Sequence, residues 1–126
     1  MEKILVIDDE KETVELVKDF LSSRGYAVVT ALDGSEALKQ FDGEKPDIVI
    51  CDIRMPKKDG HAVLKAIREE VDKDLPFIMM SVLDDFKNIK AAHDAEADFY
   101  VTKRSELLEL SKNIRLLLNL RKNKTR

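Results

Sequence analysis

Short apolar runs rich in Ile and Val recur along this chain, and each is followed by a segment with helical spacing. Ile4-Leu5-Val6-Ile7 opens the series, and Ile48-Val49-Ile50 lies near its centre. Polar residues do not alternate within these runs, so strands built from them must be covered on both faces. That is the mark of a parallel sheet between two helical layers, an α/β fold. The pattern predicts strands at Lys3–Ile7, Ala27–Ala31, Ile48–Cys51, Phe77–Met80 and Phe99–Val101. Helices are expected over Glu10–Arg24, from Asp33 to about Phe41, over Gly60–Glu70, more weakly near Phe86–Asp94, and from Ser105 to about Leu120. Gly25 stands where the first helix would end in a left-handed cap. Asp33 can cap the second, with Glu36 three residues on. The expected inward faces are Thr13, Leu16, Val17, Phe20 and Leu21 on the first helix, and Val63, Leu64 and Ile67 on the third. On the last they are Leu107, Leu108, Ile114, Leu117 and Leu118.

With 126 residues, one domain is expected, large enough to bury a core without disulfides. No apolar run approaches the roughly 18 residues that span a bilayer. The opening apolar run is short and meets Asp8-Asp9-Glu10 at once, unlike a signal peptide. The single cysteine, Cys51, fits a reducing, cytoplasmic setting and reads as a small apolar filler of a buried strand. Net charge is −3, and no acidic residue lies beyond Glu109. Residues 1–111 hold 16 basic and 25 acidic groups, a net of −9. Such a body is a poor match for nucleic acid. The basic end, 121–126, reads as a solvated tail or the start of a linker after a domain at 1–120.

In open parallel sheets, ligands bind beyond the carboxyl ends of the strands. Asp8, Asp9 and Glu10 follow the first predicted strand, Asp52 the third, Ser81 the fourth, and Lys103 lies just past the fifth. Clustered carboxylates repel one another unless a cation is present. All the candidate ligands are hard oxygens, so Mg²⁺ is the natural ion. A hydroxyl and an ammonium beside them suit phosphoryl oxygens. Together they describe an aspartyl-phosphate site. His61 and His93 have no partner at metal-ligand spacing and read as surface or satisfied residues.

Over about residues 2–120 the chain resembles the receiver domain of two-component response regulators. The motifs run in order: Ile7-Asp8-Asp9-Glu10, Asp33-Gly34-x-Glu36-Ala37-Leu38, Pro46-Asp47-Ile48-Val49, Cys51-Asp52-Ile53-Arg54-Met55-Pro56, Asp59-Gly60, Ser81, and Ala97-Asp98-Phe99-Tyr100-x-Thr102-Lys103. The resemblance implies a flavodoxin-like three-layer sandwich, a five-stranded parallel sheet in order 2-1-3-4-5 with five helices. It makes Asp52 the phosphoacceptor. Asp9, Asp52 and the Arg54 backbone carbonyl would hold Mg²⁺, with Asp8 helping through water. Ser81 and Lys103 would bind phosphoryl oxygens, and Ser81 and Tyr100 would act as switch residues. Arg54 and Leu83 flank the attacking water's path and would set the phosphoryl lifetime.

The implied function is a phosphorylation switch and not an enzyme beyond its own phosphotransfer and dephosphorylation. A histidine kinase or phosphotransfer protein supplies the phosphoryl group. The face formed by the fourth helix, fifth strand and fifth helix then changes partner, whether a downstream target, a fused output domain or a second copy in a phosphorylation-dependent dimer. Two alternatives are a receiver-like scaffold that is never phosphorylated and a Mg²⁺-dependent phosphohydrolase with an aspartyl nucleophile. The hydrolase needs a general acid two residues after the nucleophile, where Arg54 stands. The sequence departs from the family pattern at Glu96, Phe99 and Arg104, all beside the signalling face. A non-Pro residue at 104 predicts a trans bond after Lys103, because cis would cost about 2.5–4 kcal/mol. Phe99 is expected either to join the core or to offer a docking point.

Overall fold

The computed structural model of the chain describes residues 2–52, 60–72, 74–81, 97–102 and 107–124. Five strands run parallel: β1 (Lys3–Ile7), β2 (Ala27–Ala31), β3 (Ile48–Asp52), β4 (Phe77–Ser81) and β5 (Phe99–Thr102), in sheet order β2-β1-β3-β4-β5. Four helices are found among the described residues: α1 (Lys11–Ser23), α2 (Gly34–Glu44), α3 (Gly60–Ala66) and α4 (Leu107–Lys124). The expected sandwich of five strands with five helices is therefore corrected to four described helices, packed on the four-strand body β2-β1-β3-β4, with the four-residue β5 at its edge. The helix expected near Phe86–Asp94 lies outside the described residues.

Strand alternation divides the core into two halves. Leu5, Ile7, Val49, Cys51, Phe77 and Met79 point to one face, where Ala37 and Phe41 of α2 and Val63 and Leu64 of α3 cover them. Ile4, Val6, Ile48, Ile50, Ile78 and Met80 point to the other, under Val17 and Leu21 of α1 and Leu110, Ile114 and Leu118 of α4. Because both faces are covered, a one-residue slip in register would exchange one buried set for the other, and the strands are held to one alignment.

Two helix faces differ from expectation. On α1 the buried residues are Val14, Val17 and Leu21, while Leu16 is 60% exposed. On α4, Leu110 is buried and Leu108 points outward. In each case one apolar residue lies too far round the helix to reach the sheet. The helix ends follow local chemistry. Gly25 takes a left-handed φ of 94° after α1, a conformation that costs a glycine little. The Asp33 side chain accepts the Glu36 amide at 2.8 Å, closing the start of α2.

The third helix does not run straight to its end. It widens into a π turn over Ile67–Val71, where the Asp72 amide donates to the Ile67 carbonyl at 2.9 Å. Arg68 in that turn reaches the Leu75 carbonyl at 2.6 Å and Asp98 at 3.4 Å. Asp98 also accepts the Phe77 amide at 2.8 Å, so one carboxylate ties the starts of β4 and β5 to the turn. The last helix runs to Lys124 rather than to about Leu120. Two of its basic residues have structural partners: Arg115 forks onto Glu2 at 3.0 and 3.2 Å, and Arg121 donates to Asp72 at 2.8 Å.

Partial burial alone would raise the Asp72 carboxyl. The Arg121 hydrogen bond, the Asp74 amide and the charges of Arg121 and Arg68 outweigh it and hold the group below its usual range. A depressed folded value adds stability above the unfolded pKa of about 3.9, and that stability is lost as pH falls through the folded value. The pair is a third exposed, so its worth is at most about 1 kcal/mol. Asp72→Asn should therefore lower stability slightly at pH 7. Denaturant titrations of variant and wild type should converge in acid, below the folded pKa of Asp72.

Candidate functional site

The strand register decides which side chains meet. Ile7 of β1 pairs with Cys51 of β3, so Asp8 and Asp52 each follow a paired residue on adjacent central strands, at one edge of the sheet. Asp52 pairs with Met80 of β4, and Ser81 is the next residue along. Ser81 pairs with Thr102, the last residue of β5. Lys103 follows Thr102 in sequence, and its placement lies outside the described residues, as do those of Arg54 and Leu83. The Lys103–Arg104 bond lies outside them too. Tyr100 is placed by register opposite Met79, and Phe99 opposite Ile78.

Asp8 and Asp52 are the buried charged residues among those described, with Asp52 only 5% exposed. The Asp8 amide donates to the Ala31 carbonyl at 3.1 Å, which anchors the β1 end to β2. The Asp8 carboxylate accepts the Glu10 amide at 2.9 Å and turns the chain toward α1. Asp8 and Asp9 are not the caps of that helix. Its cap position is Glu10, whose side chain makes no capping bond. Oxygens of Asp8, Asp9 and Glu10 lie within 4.8 Å of one another, with Asp8 buried and the other two exposed. Glu10 thus joins the acidic cluster, although the ligand set implied for Mg²⁺ left it out. The signal was available in the unbroken acidic triplet at the strand end. Asp52 is not among the three mutually close carboxylates.

A cluster of only carboxylate oxygens suits a hard divalent cation and gives no purchase to a soft one. Cys51 is buried behind Asp52, with its sulfur 3.2 Å from the Asp52 carbonyl oxygen. It makes no disulfide among the described residues. His61 is half-buried, and its Nδ1 has no hydrogen-bond partner among the described residues, which corrects its reading as surface or satisfied.

The same order of strands, acids and helices is found in known proteins. A family profile described as the response regulator receiver domain matches residues 4–115. The chain is 45% identical over 117 residues to a probable transcriptional regulator, ycf27, of Guillardia theta, covering 93% of this chain and 45% of that protein. It is 42% identical over 123 residues to the probable transcriptional regulator ycf27 of Cyanophora paradoxa, covering 98% and 51%. Among solved structures, a putative response regulator from Chloroflexus aurantiacus superposes with a TM-score of 0.89 at 32% identity, covering 94% of this chain and 98% of that one. The chain belongs to the response regulator receiver domain family. Receiver domains are phosphoacceptor signalling modules, typically non-catalytic beyond their own phosphotransfer and dephosphorylation. It spans about half the length of the curated relatives it matches. Among the described residues no helix is long and apolar enough to cross a membrane.

A divalent cation that binds only the folded chain stabilises it by mass action, about 2.7 kcal/mol at a hundredfold excess over Kd. Thermal unfolding with added Mg²⁺ should therefore shift upward relative to a chelator. The shift should shrink sharply in Asp9→Asn.

Proposed function

We propose that the chain is a phosphorylation switch in which Asp52 receives a phosphoryl group from a phosphohistidine. The observation that carries this reading is the register placing Asp52 and the acidic cluster at one sheet edge, on neighbouring central strands. A carboxylate oxygen of Asp52 attacks phosphorus, the P–O bond forms, and the P–N bond to the donor imidazole breaks with its electron pair leaving on nitrogen. Asp8, Asp9, Asp52 and the Arg54 carbonyl would hold Mg²⁺, and the Glu10 carboxylate, beside those of Asp8 and Asp9, would add negative charge there. Bound there, the ion would offset the carboxylate charge that otherwise repels an incoming phosphoryl group. Ser81 would donate its hydroxyl hydrogen, and Lys103 its ammonium, to the phosphoryl oxygens. Ser81 and Tyr100 would then change position together, and the face around β5 would alter its contacts.

The donor partner would be a histidine kinase or a phosphotransfer protein. Residues 1–120 would form the receiver and 121–126 the start of a connection. The downstream partner would be an output domain or a separate target, reached through protein contacts rather than nucleic acid. The single buried thiol and the kinase chemistry suit a cytoplasmic setting.

Acetyl phosphate with Mg²⁺ should add the mass of one labile phosphoryl group, and the adduct should be absent from Asp52→Ala. Equal labelling of that variant would remove Asp52 from the role. The adduct should also be long-lived for a receiver. Leu83 stands where an acidic or amide side chain would orient an attacking water, and a leucine cannot. Leu83→Glu should shorten the decay measured by mass spectrometry, and a slower decay in that variant would reject the water-exclusion argument.

A further inference from the structure

A groove of about 530 Å³ runs between the end of α1 and the outer side of α4, away from the phosphoacceptor edge. Its apolar lining includes Leu108 and Leu116, exposed at 48% and 49%. Its charged lining is wholly basic: Arg24, Lys112 and Arg115. Arg115 is committed to Glu2 and to the Tyr26 hydroxyl at 2.9 Å, while Arg24 stacks over the Phe20 ring at 5.1 Å. Among the described residues neither Arg24 nor Lys112 has an ion-pair partner. A basic, leucine-lined groove on a body with net charge −9 over residues 1–111 calls for an acidic occupant with an apolar anchor.

The chain itself carries that combination. Leu16 is the most exposed large apolar residue among those described. Glu12, Glu15 and Asp19 are exposed around it on α1, at one-turn spacings. Lys11 and Lys18, the other charged residues of α1's outer surface, fall on the opposite flank of the helix from Leu16. Leu16, Phe20 and Arg24 form one row at intervals of four, and Arg24 lines the groove, so ridge and groove share one side of the molecule. Such a surface is self-complementary under a two-fold axis. We propose that this α1–α4 face pairs two copies of the chain, with Leu16 of each seated between Leu108 and Leu116 of the other. Glu12, Glu15 and Asp19 then meet Arg24 and Lys112. This pairing does not depend on Asp52 and needs no phosphoryl donor.

The test measures self-association of the unphosphorylated chain by sedimentation. Arg24→Glu with Lys112→Glu makes the groove acidic. Glu15→Lys with Asp19→Lys makes the ridge basic. Each double variant alone should associate about tenfold more weakly or worse, because like charges then face each other. An equal mixture of the two should recover wild-type association, since each groove again meets an opposite ridge. Circular dichroism checks the fold of each variant, and Leu16→Asn provides a second route, with the same loss expected. A monomeric wild type at every soluble concentration would overturn the proposal. So would variants that associate like wild type, or a mixture that shows no recovery.

Discussion

Two carboxylates, Asp8 and Asp52, are buried where the central strands of a fully covered sheet end. Carboxylates in such a place repel one another and lose hydration, so they persist only where cations or donors meet them. The remaining structure supplies the frame for this. Apolar strands buried on both faces fix the register. The register then fixes which strand-end residues are neighbours. Charge that would weaken an ordinary core is held at the sheet edge, with the exposed Asp9 and Glu10 carboxylates beside Asp8. The sheet's opposite edge is tied down by different means. Arg68, Asp72, Asp98 and Arg121 link the π turn, the β4 and β5 starts and α4 through hydrogen bonds and ion pairs.

Much of this was legible in the sequence because two-sided burial leaves a strong trace. Ile4–Ile7 and Ile48–Cys51 lack polar alternation, which separates a central parallel strand from a half-exposed one. Lys3–Ile7 and Ala27–Ala31 occupy the predicted residues, and β4 begins at Phe77 as predicted. The acids at strand ends were legible for the same reason, since the end of an apolar run marks the edge of the sheet.

What the sequence concealed depends on partners distant along the chain. A leucine at 16 or 108 satisfies a helical pattern whether or not it reaches the sheet, and only packing shows that both point outward. The π turn contains Arg68, whose acceptors, Leu75 and Asp98, lie 7 and 30 residues away. Nothing in the local spacing around Arg68 announces them. The basic residues of α4 read as a solvated run, yet Arg115 and Arg121 fasten that helix to Glu2 and Asp72.

The central claim is that one carboxylate, Asp52, accepts the phosphoryl group while its acidic neighbours do not. Borohydride reduction of the phosphorylated chain converts an acyl phosphate to a homoserine residue that survives digestion. Peptide mapping after reduction should find homoserine at position 52. Homoserine at 8 or 9, or none in a chain that carries phosphate, would contradict the account.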